Sequence, residues 1–251
     1  MTTSQFEKLI RNKTDEDVRS EGYELQYAED FKWTDLSKSD WTPGCCYPSN
    51  EFKTVHSYTN ESQAYVGGKN VEVKNGKLVI RTRLEKTVAP AWDPKKGMVM
   101  HSFKYTSDMI NNASKLAVEE GSVVMVKARC HGLLNHGIYL RSKNHIPFIS
   151  VFNYTGRKIF CGVKASVATD ENKKEITGLK PLTDIIYTVV WKEDTITWFV
   201  NNMQVYQTSN RIPKGEKLYL HLYSFLFKGL GWNTPGELYV NWIRVYRKLK
   251  K

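Results

Sequence analysis

The sequence predicts an all-β protein: a two-sheet antiparallel sandwich of jelly-roll type, fronted by a short N-terminal arm or helix. Three observations predict it. From Tyr23 onward, short runs alternate apolar and polar residues, the period of a half-buried strand. Turn-forming pairs such as Asn75-Gly76 and Asn201-Asn202 separate these runs. No Pro/Gly/Ser-rich linker breaks the series, so residues 22–251 read as one domain behind an arm of residues 1–21. That many antiparallel strands make a two-layer sandwich rather than a small barrel, and a curved sandwich offers a concave face to an extended polymer.

Taken in order, residues 4–20 place Phe6, Leu9 and Ile10 on one helical face ahead of a charged stretch. This segment reads as a frayed extension, with docking onto a protein partner as the functional alternative. Tyr23 to Phe31 alternates as a strand, and 43–50 (PGCCYPSN) reads as a loop. Val71 to Arg83 is a hairpin in which Asn75-Gly76 supplies the two left-handed residues of a type I′ turn. Residues 86–98 hold Pro90, Trp92, Pro94 and Gly97, and read as a long loop. Core strands follow at Ser122–Cys130, Gly137–Arg141 and 148–154, with Ile159–Val167 returning after a Thr155-Gly156 turn. Strands beginning at Ile186, Thr195, Met203, Leu218 and Leu238 complete the series, and the basic run Arg244 to Lys251 reads as a frayed tail.

The net charge is +11. It suits an anionic partner, an acidic polysaccharide among them, although scattered lysines are as readily a solvated surface. No nucleic-acid motif or interleaved basic-aromatic stripe is present, and nucleic acid is not an expected partner. The four cysteines, Cys45, Cys46, Cys130 and Cys161, lack metal-ligand spacing, so neither a metal nor another cofactor is expected. Cys130 and Cys161 lie in apolar alternating runs and read as buried thiols, with a bridge between them left open. The first residues have no apolar core of a signal peptide and no run is long enough to span a membrane. On this reading the protein acts where it is made or within an assembled particle, unless a leader has been removed.

Several blocks then acquire a common meaning. Tyr23-Glu-Leu-Gln-Tyr-Ala-Glu-Asp-Phe with Leu36 to Trp41, Asn60-Glu-Ser-Gln-Ala-Tyr65 leading to Asn70–Ile80, Tyr105–Ile110 with Glu120–Arg129, Tyr187–Trp191 with Thr197–Tyr206, and Leu238–Tyr246 stand in the order and spacing of one family. Over roughly residues 23–247 the chain resembles glycoside hydrolase family 16, the laminarinase, lichenase and carrageenase group with a concanavalin A-like jelly roll. The resemblance implies a catalytic Glu-x-Asp-x-x-Glu on one strand. Residues 148–156 align with that motif through Ile149, Val151, Phe152, Tyr154 and Gly156. A bulge there brings the first, third and sixth positions to one face.

Those positions hold Phe148, Ser150 and Asn153. The implied chemistry needs a nucleophilic carboxylate and an acid/base carboxyl about 5–5.5 Å apart. Phe148 has no atom to attack an anomeric carbon, and the Asn153 amide does not deliver a proton; general acid/base help alone is worth about 10²–10⁴ in rate. The retaining mechanism cannot run on these residues. Three readings stay open: a degenerate, non-catalytic module binding carbohydrate in the cleft; a structural or assembly module, such as a virion, tail or surface-complex component; or a glycosidase of β-linked polysaccharide with displaced carboxylates, for which Glu61 is the best single candidate. Histidines near Arg141 also admit a lyase-like base set, as the least favoured reading. Expected carbohydrate contacts are Asn60, Glu61, Trp92, His136, Tyr139, Arg141, His145 and Trp232.

Overall fold

The computed structural model describes residues 15–44, 56–226 and 235–249. A single helical turn and a half, α1 (Asp15–Ser20), precedes β1 (Tyr23–Glu29). Four short strands, two long ones and a further short one complete the first half: β2 (Thr42–Pro43), β3 (Ser57–Tyr58), β4 (Gln63–Tyr65), β5 (Val71–Lys74), β6 (Lys77–Asp93), β7 (Gly97–Ser107) and β8 (Met109–Asn111). The second half comprises β9 (Ser122–His131), β10 (Asn135–Arg141), β11 (Phe148–Thr155), β12 (Ile159–Lys164) and β13 (Asn172–Ile176). It ends with β14 (Ile185–Trp191), β15 (Ile196–Val200), β16 (Met203–Thr208), β17 (Tyr219–Phe225) and β18 (Gly236–Lys248). Among the described residues no helix is long and apolar enough to cross a membrane.

The strands form two sheets, as the alternation predicts. One runs β16-β15-β14-β9-β18-β6-β7-β4, with β1 beside β18 and β3 and β5 beside β6. The other runs β13-β12-β11-β10-β17-β8-β2. Their facing sides share one core that includes Trp191, Trp198, Phe152, Leu78 and Ile80, each under 2% exposed. Full burial of such side chains contributes about 1.5–3 kcal/mol apiece, which is what holds the layers together. The free thiols of Cys130 and Cys161 lie in this core, while Cys45 and Cys46 fall outside the described residues. The turn residues behave as their chemistry requires: Asn75, Gly76, Asn201 and Asn202 all have positive φ.

α1 packs Val18 onto the back of the larger sheet, against Val123, Met125, Ile186 and Tyr246. The expected apolar face of Phe6, Leu9 and Ile10 lies outside the described residues.

Two expectations give way. Residues 86–98 are not a long loop: β6 continues to Asp93, and β7 returns from Gly97 with Val88↔Ser102, Pro90↔Met100 and Trp92↔Met98 in register. The loop-like composition is compressed into the turn, where Asp93 accepts the backbone N–H groups of Lys95 and Lys96 and Gly97 takes φ +73°. Pro90 is tolerated because pairing with β3 begins only at Ala91, leaving it at a sheet edge. Nor are residues 244–248 a frayed tail. They continue β18 between β1 and β9, with Arg244 paired to Asp30 and Arg247 to Glu119, both at 2.5 Å.

Candidate functional site

The strand that should carry the chemistry is bulged where expected. β10 pairs Ile138 with Phe152 but Tyr139 with Ser150, and β12 shows the same shift between Ser150 and Asn153. The extra residue puts Phe148, Ser150 and Asn153 on the face turned away from the core, while Ile149, Val151, Phe152 and Tyr154 enter it. The core side fixes this geometry. Trp198 of the opposite sheet donates its indole N–H to the Ser150 carbonyl at 2.8 Å, and Phe152 stacks on Tyr187 with ring centroids 4.2 Å apart.

The register lays out the face. β10 contributes Gly137, Tyr139 and Arg141; β17 contributes Tyr219, His221 and Tyr223 opposite them. Gly137 is the pivot. A methyl group there would stand 2.7 Å from the rings of both Tyr139 and Tyr223, so only glycine lets them lie over the backbone. The two tyrosines stack at 5.2 Å, and Phe148 meets Tyr139 edge-on at 5.3 Å. Ser150 and Tyr139 are 1% and 5% exposed, so the middle of the three outward positions is sealed beneath aromatic rings. Burial pushes the Tyr139 and Tyr223 phenols up from their ordinary range. The Ser150 Oγ and Asn153 Oδ1 atoms are buried without a hydrogen-bond partner among the described residues.

Arg141 bounds the face on one side, its guanidinium over the rings of Tyr139 (5.4 Å) and Phe148 (5.7 Å). His145, in the turn after β10, sits near Arg141 and His56; burial first, then the Arg141 charge, holds its pKa down to about 4. The same two causes take His221 to about 3. Both imidazoles are therefore neutral near pH 7, and the positive charge here belongs to Arg141 and Lys164. Glu171, just before β13, faces this cluster: burial raises its pKa, while Lys173, Lys164 and Arg141 oppose the rise. The sequence reading missed Glu171. Its only signal was position, ten residues beyond Cys161 at the start of the strand pairing with β12.

The other expected contacts are dispersed. His136 does not line this face. It points between the sheets, fully buried, with Nδ1 2.8 Å from Ser224 Oγ, Nε2 3.1 Å from the His131 carbonyl, and its ring stacked on Tyr154. The reason is parity: Gly137, Tyr139 and Arg141 take the outward positions of β10, so the even-numbered neighbours face the core. Glu61 is 7% exposed and turned into its own turn, accepting the Tyr58 N–H at 2.8 Å and the Tyr65 hydroxyl at 3.4 Å. Burial raises its pKa to about 7. Asn60 is exposed on that turn, and Trp92 stands on the β6–β7 hairpin, paired with Met98 and beside Tyr58. Trp232 falls outside the described residues. Tyr139, Arg141 and His145 are thus brought together, and Glu61 is linked to the same face through Tyr65, which bonds it and lies near Tyr223; His136 is not among them.

A two-sheet jelly roll with one bulged central strand and a side-chain-lined outer face is the architecture of glycoside hydrolase family 16, and this chain has that fold. No family model matches the sequence, and no curated protein matches it. Solved structures do. SCLam, a non-specific endo-β-1,3(4)-glucanase from family 16, superposes with a TM-score of 0.73 at 20% identity over 91% of this chain and 92% of its own. The endo-β-1,3-glucanase of Pyrococcus furiosus gives 0.70 at 17% over 91% and 96%. The laminarinase of Flavobacterium sp. UMI-01 gives 0.66 at 20% over 89% and 100%.

Proposed function

We propose that the chain is an N-terminal arm (residues 1–21) followed by one non-hydrolytic, family-16-like module (residues 22–251) that binds a polysaccharide on the outer face of β10, β11 and β12. The observation that carries this reading is the content of the bulged strand: Phe148, Ser150 and Asn153 share the outward face, and none can act as nucleophile or proton donor. The half-buried Phe148 ring offers a sugar a stacking surface, and Arg141 and Lys164 favour an anionic polymer over a neutral one.

The sealing of Ser150 by Tyr139 and Tyr223 favours a second reading, an assembly module in which the old cleft is simply packed shut. A glycan array probed at low and moderate salt separates the two. Salt-sensitive binding to uronate or sulfated polymers, weakened by Arg141→Ala, supports the first reading; no binding to any glycan leaves the second. Reducing-sugar release from β-glucans or galactans, surviving Phe148→Ala and Asn153→Ala but lost in Glu61→Gln, would overturn both.

A further inference from the structure

Among the described residues nine large apolar side chains are exposed, and five of them, Tyr58, Leu84, Val88, Met98 and Met100, belong to the β6–β7 hairpin and the strand beside it. The other four are scattered singly, which is ordinary for any protein surface. The register explains four of the five; Leu84, before the bulge, pairs with Tyr105 on the other side. Thr87, Ala89 and Ala91 share one face of the hairpin with Phe103, His101 and Val99, and that face is covered: Ala91 and Phe103 are buried against Ala64 of β4. Val88, Pro90 and Trp92 share the opposite face with Ser102, Met100 and Met98. There Val88 is 62% and Met100 66% exposed, and the half-buried Trp92 ring comes to 4.0 Å from where a side chain on Gly97 would begin. A contiguous apolar face of this kind marks an interaction surface.

Charge narrows the occupant. Lys86 and Lys104 stand at the base of this face and Lys95 and Lys96 at its tip, all exposed and none in a salt bridge among the described residues. The two nearby carboxylates are occupied within the hairpin: Glu85 accepts from Thr106 at 2.9 Å, and Asp93 caps the turn. A second copy would bring two lysine sets together on a chain of net charge +11, so the counterpart is anionic. It also makes few directional demands. Ser102 is the only polar side chain among those paired residues, whereas protein interfaces carry about one hydrogen bond per 100–200 Å². Strand addition is blocked over part of both edges by β3 and β4. An anionic lipid surface fits all three conditions: apolar contact, a tryptophan at headgroup depth and lysines at the rim.

We infer that the Val88–Pro90–Trp92–Met98–Met100 face of the hairpin docks the protein onto an anionic lipid bilayer. The test is co-sedimentation of the full chain with vesicles of phosphatidylcholine alone or with phosphatidylserine added, at low and physiological salt. Binding is expected to the mixed vesicles, weakened by salt, and to fall about tenfold or more in Met98→Asp/Met100→Asp and in Lys95→Glu/Lys96→Glu. As a readout independent of those variants, the emission lost in Trp92→Phe should be the part quenched by brominated lipid. No binding to mixed vesicles overturns the proposal, as does binding indifferent to Met98→Asp/Met100→Asp. Concentration-dependent self-association that disappears in that variant, without vesicle binding, would assign the face to a second copy instead.

Discussion

The bulged strand β11 and the β6–β7 hairpin both display aromatic and aliphatic side chains on a face turned away from the main core, yet they end in opposite states. Around β11 the rings find each other: Gly137 lets Tyr139 and Tyr223 lie flat, Phe148 closes the edge, and Trp198 holds the strand from behind. On β6 of the hairpin the small residues Ala89 and Ala91 take the covered side, so Val88 and Trp92 are left on the outer one. Composition is similar in the two regions. What differs is which side of the strand the small residues occupy, and this decides whether an aromatic contributes to stability or is available to a partner.

The comparison can be broken most severely at Trp198. Trp198→Ala should cost about 3–5 kcal/mol, read as a lowered denaturation midpoint at unchanged slope, because it opens a cavity and strands the Ser150 carbonyl. A loss below about 1 kcal/mol would mean that the bulge does not depend on the opposite sheet.

Acid gives a comparable effect through the histidine behind the face. Burial depresses His136 to about 4 in the folded state, against 6.5 when unfolded. Its contribution is present above pH 6.5 and lost as pH falls toward 4. By the linkage relation, unfolding free energy should drop by about 2–3 kcal/mol between pH 7 and pH 4.5 from this group, and His136→Gln should flatten that dependence. An unchanged pH profile in the variant would remove His136 from the account.

Gly137→Ala should cost less, about 1–3 kcal/mol, since two buried rings must shift to admit a methyl group. It is also the substitution that sharpens the contrast, because it disturbs the aromatic cover without touching the core. Thermal melts should show the loss, and near-ultraviolet circular dichroism should show altered tyrosine packing. At the other extreme, Met100→Asp on the hairpin should change stability by no more than about 0.5 kcal/mol, because the side chain is 66% exposed. A larger loss would show that the face is less open than its exposure implies.

Much of this was legible beforehand. Strand alternation and the Asn-Gly and Asn-Asn turns follow from period and turn chemistry, which are local, whereas the bulge on residues 148–153 is implied only by the family resemblance. Proline and glycine in residues 86–98 argue for a loop, although Pro94 lies in the three-residue turn and Gly97 at the first position of β7. His136 was placed in the groove because sequence proximity to Arg141 says nothing of parity, and parity on β10 is set by pairing with β11 and β17. Glu171 went unseen for the same reason in reverse: its approach to Arg141 and Lys164 is a property of the sheet order β13-β12-β11-β10, which no local pattern encodes. Local signals specify elements; neighbours across a sheet specify sites.

The Trp198–Ser150 hydrogen bond has one more consequence. It attaches the bend of β11 to main-chain atoms on the far side from Phe148 and Asn153, so the strand keeps its shape whatever it displays. The outward positions behave as interchangeable fittings on a fixed socket. Acidic side chains introduced at 148, 150 and 153 should therefore meet an unaltered backbone, and failure of such a protein to cleave a glycan would point to the rings above Gly137 rather than to the frame beneath.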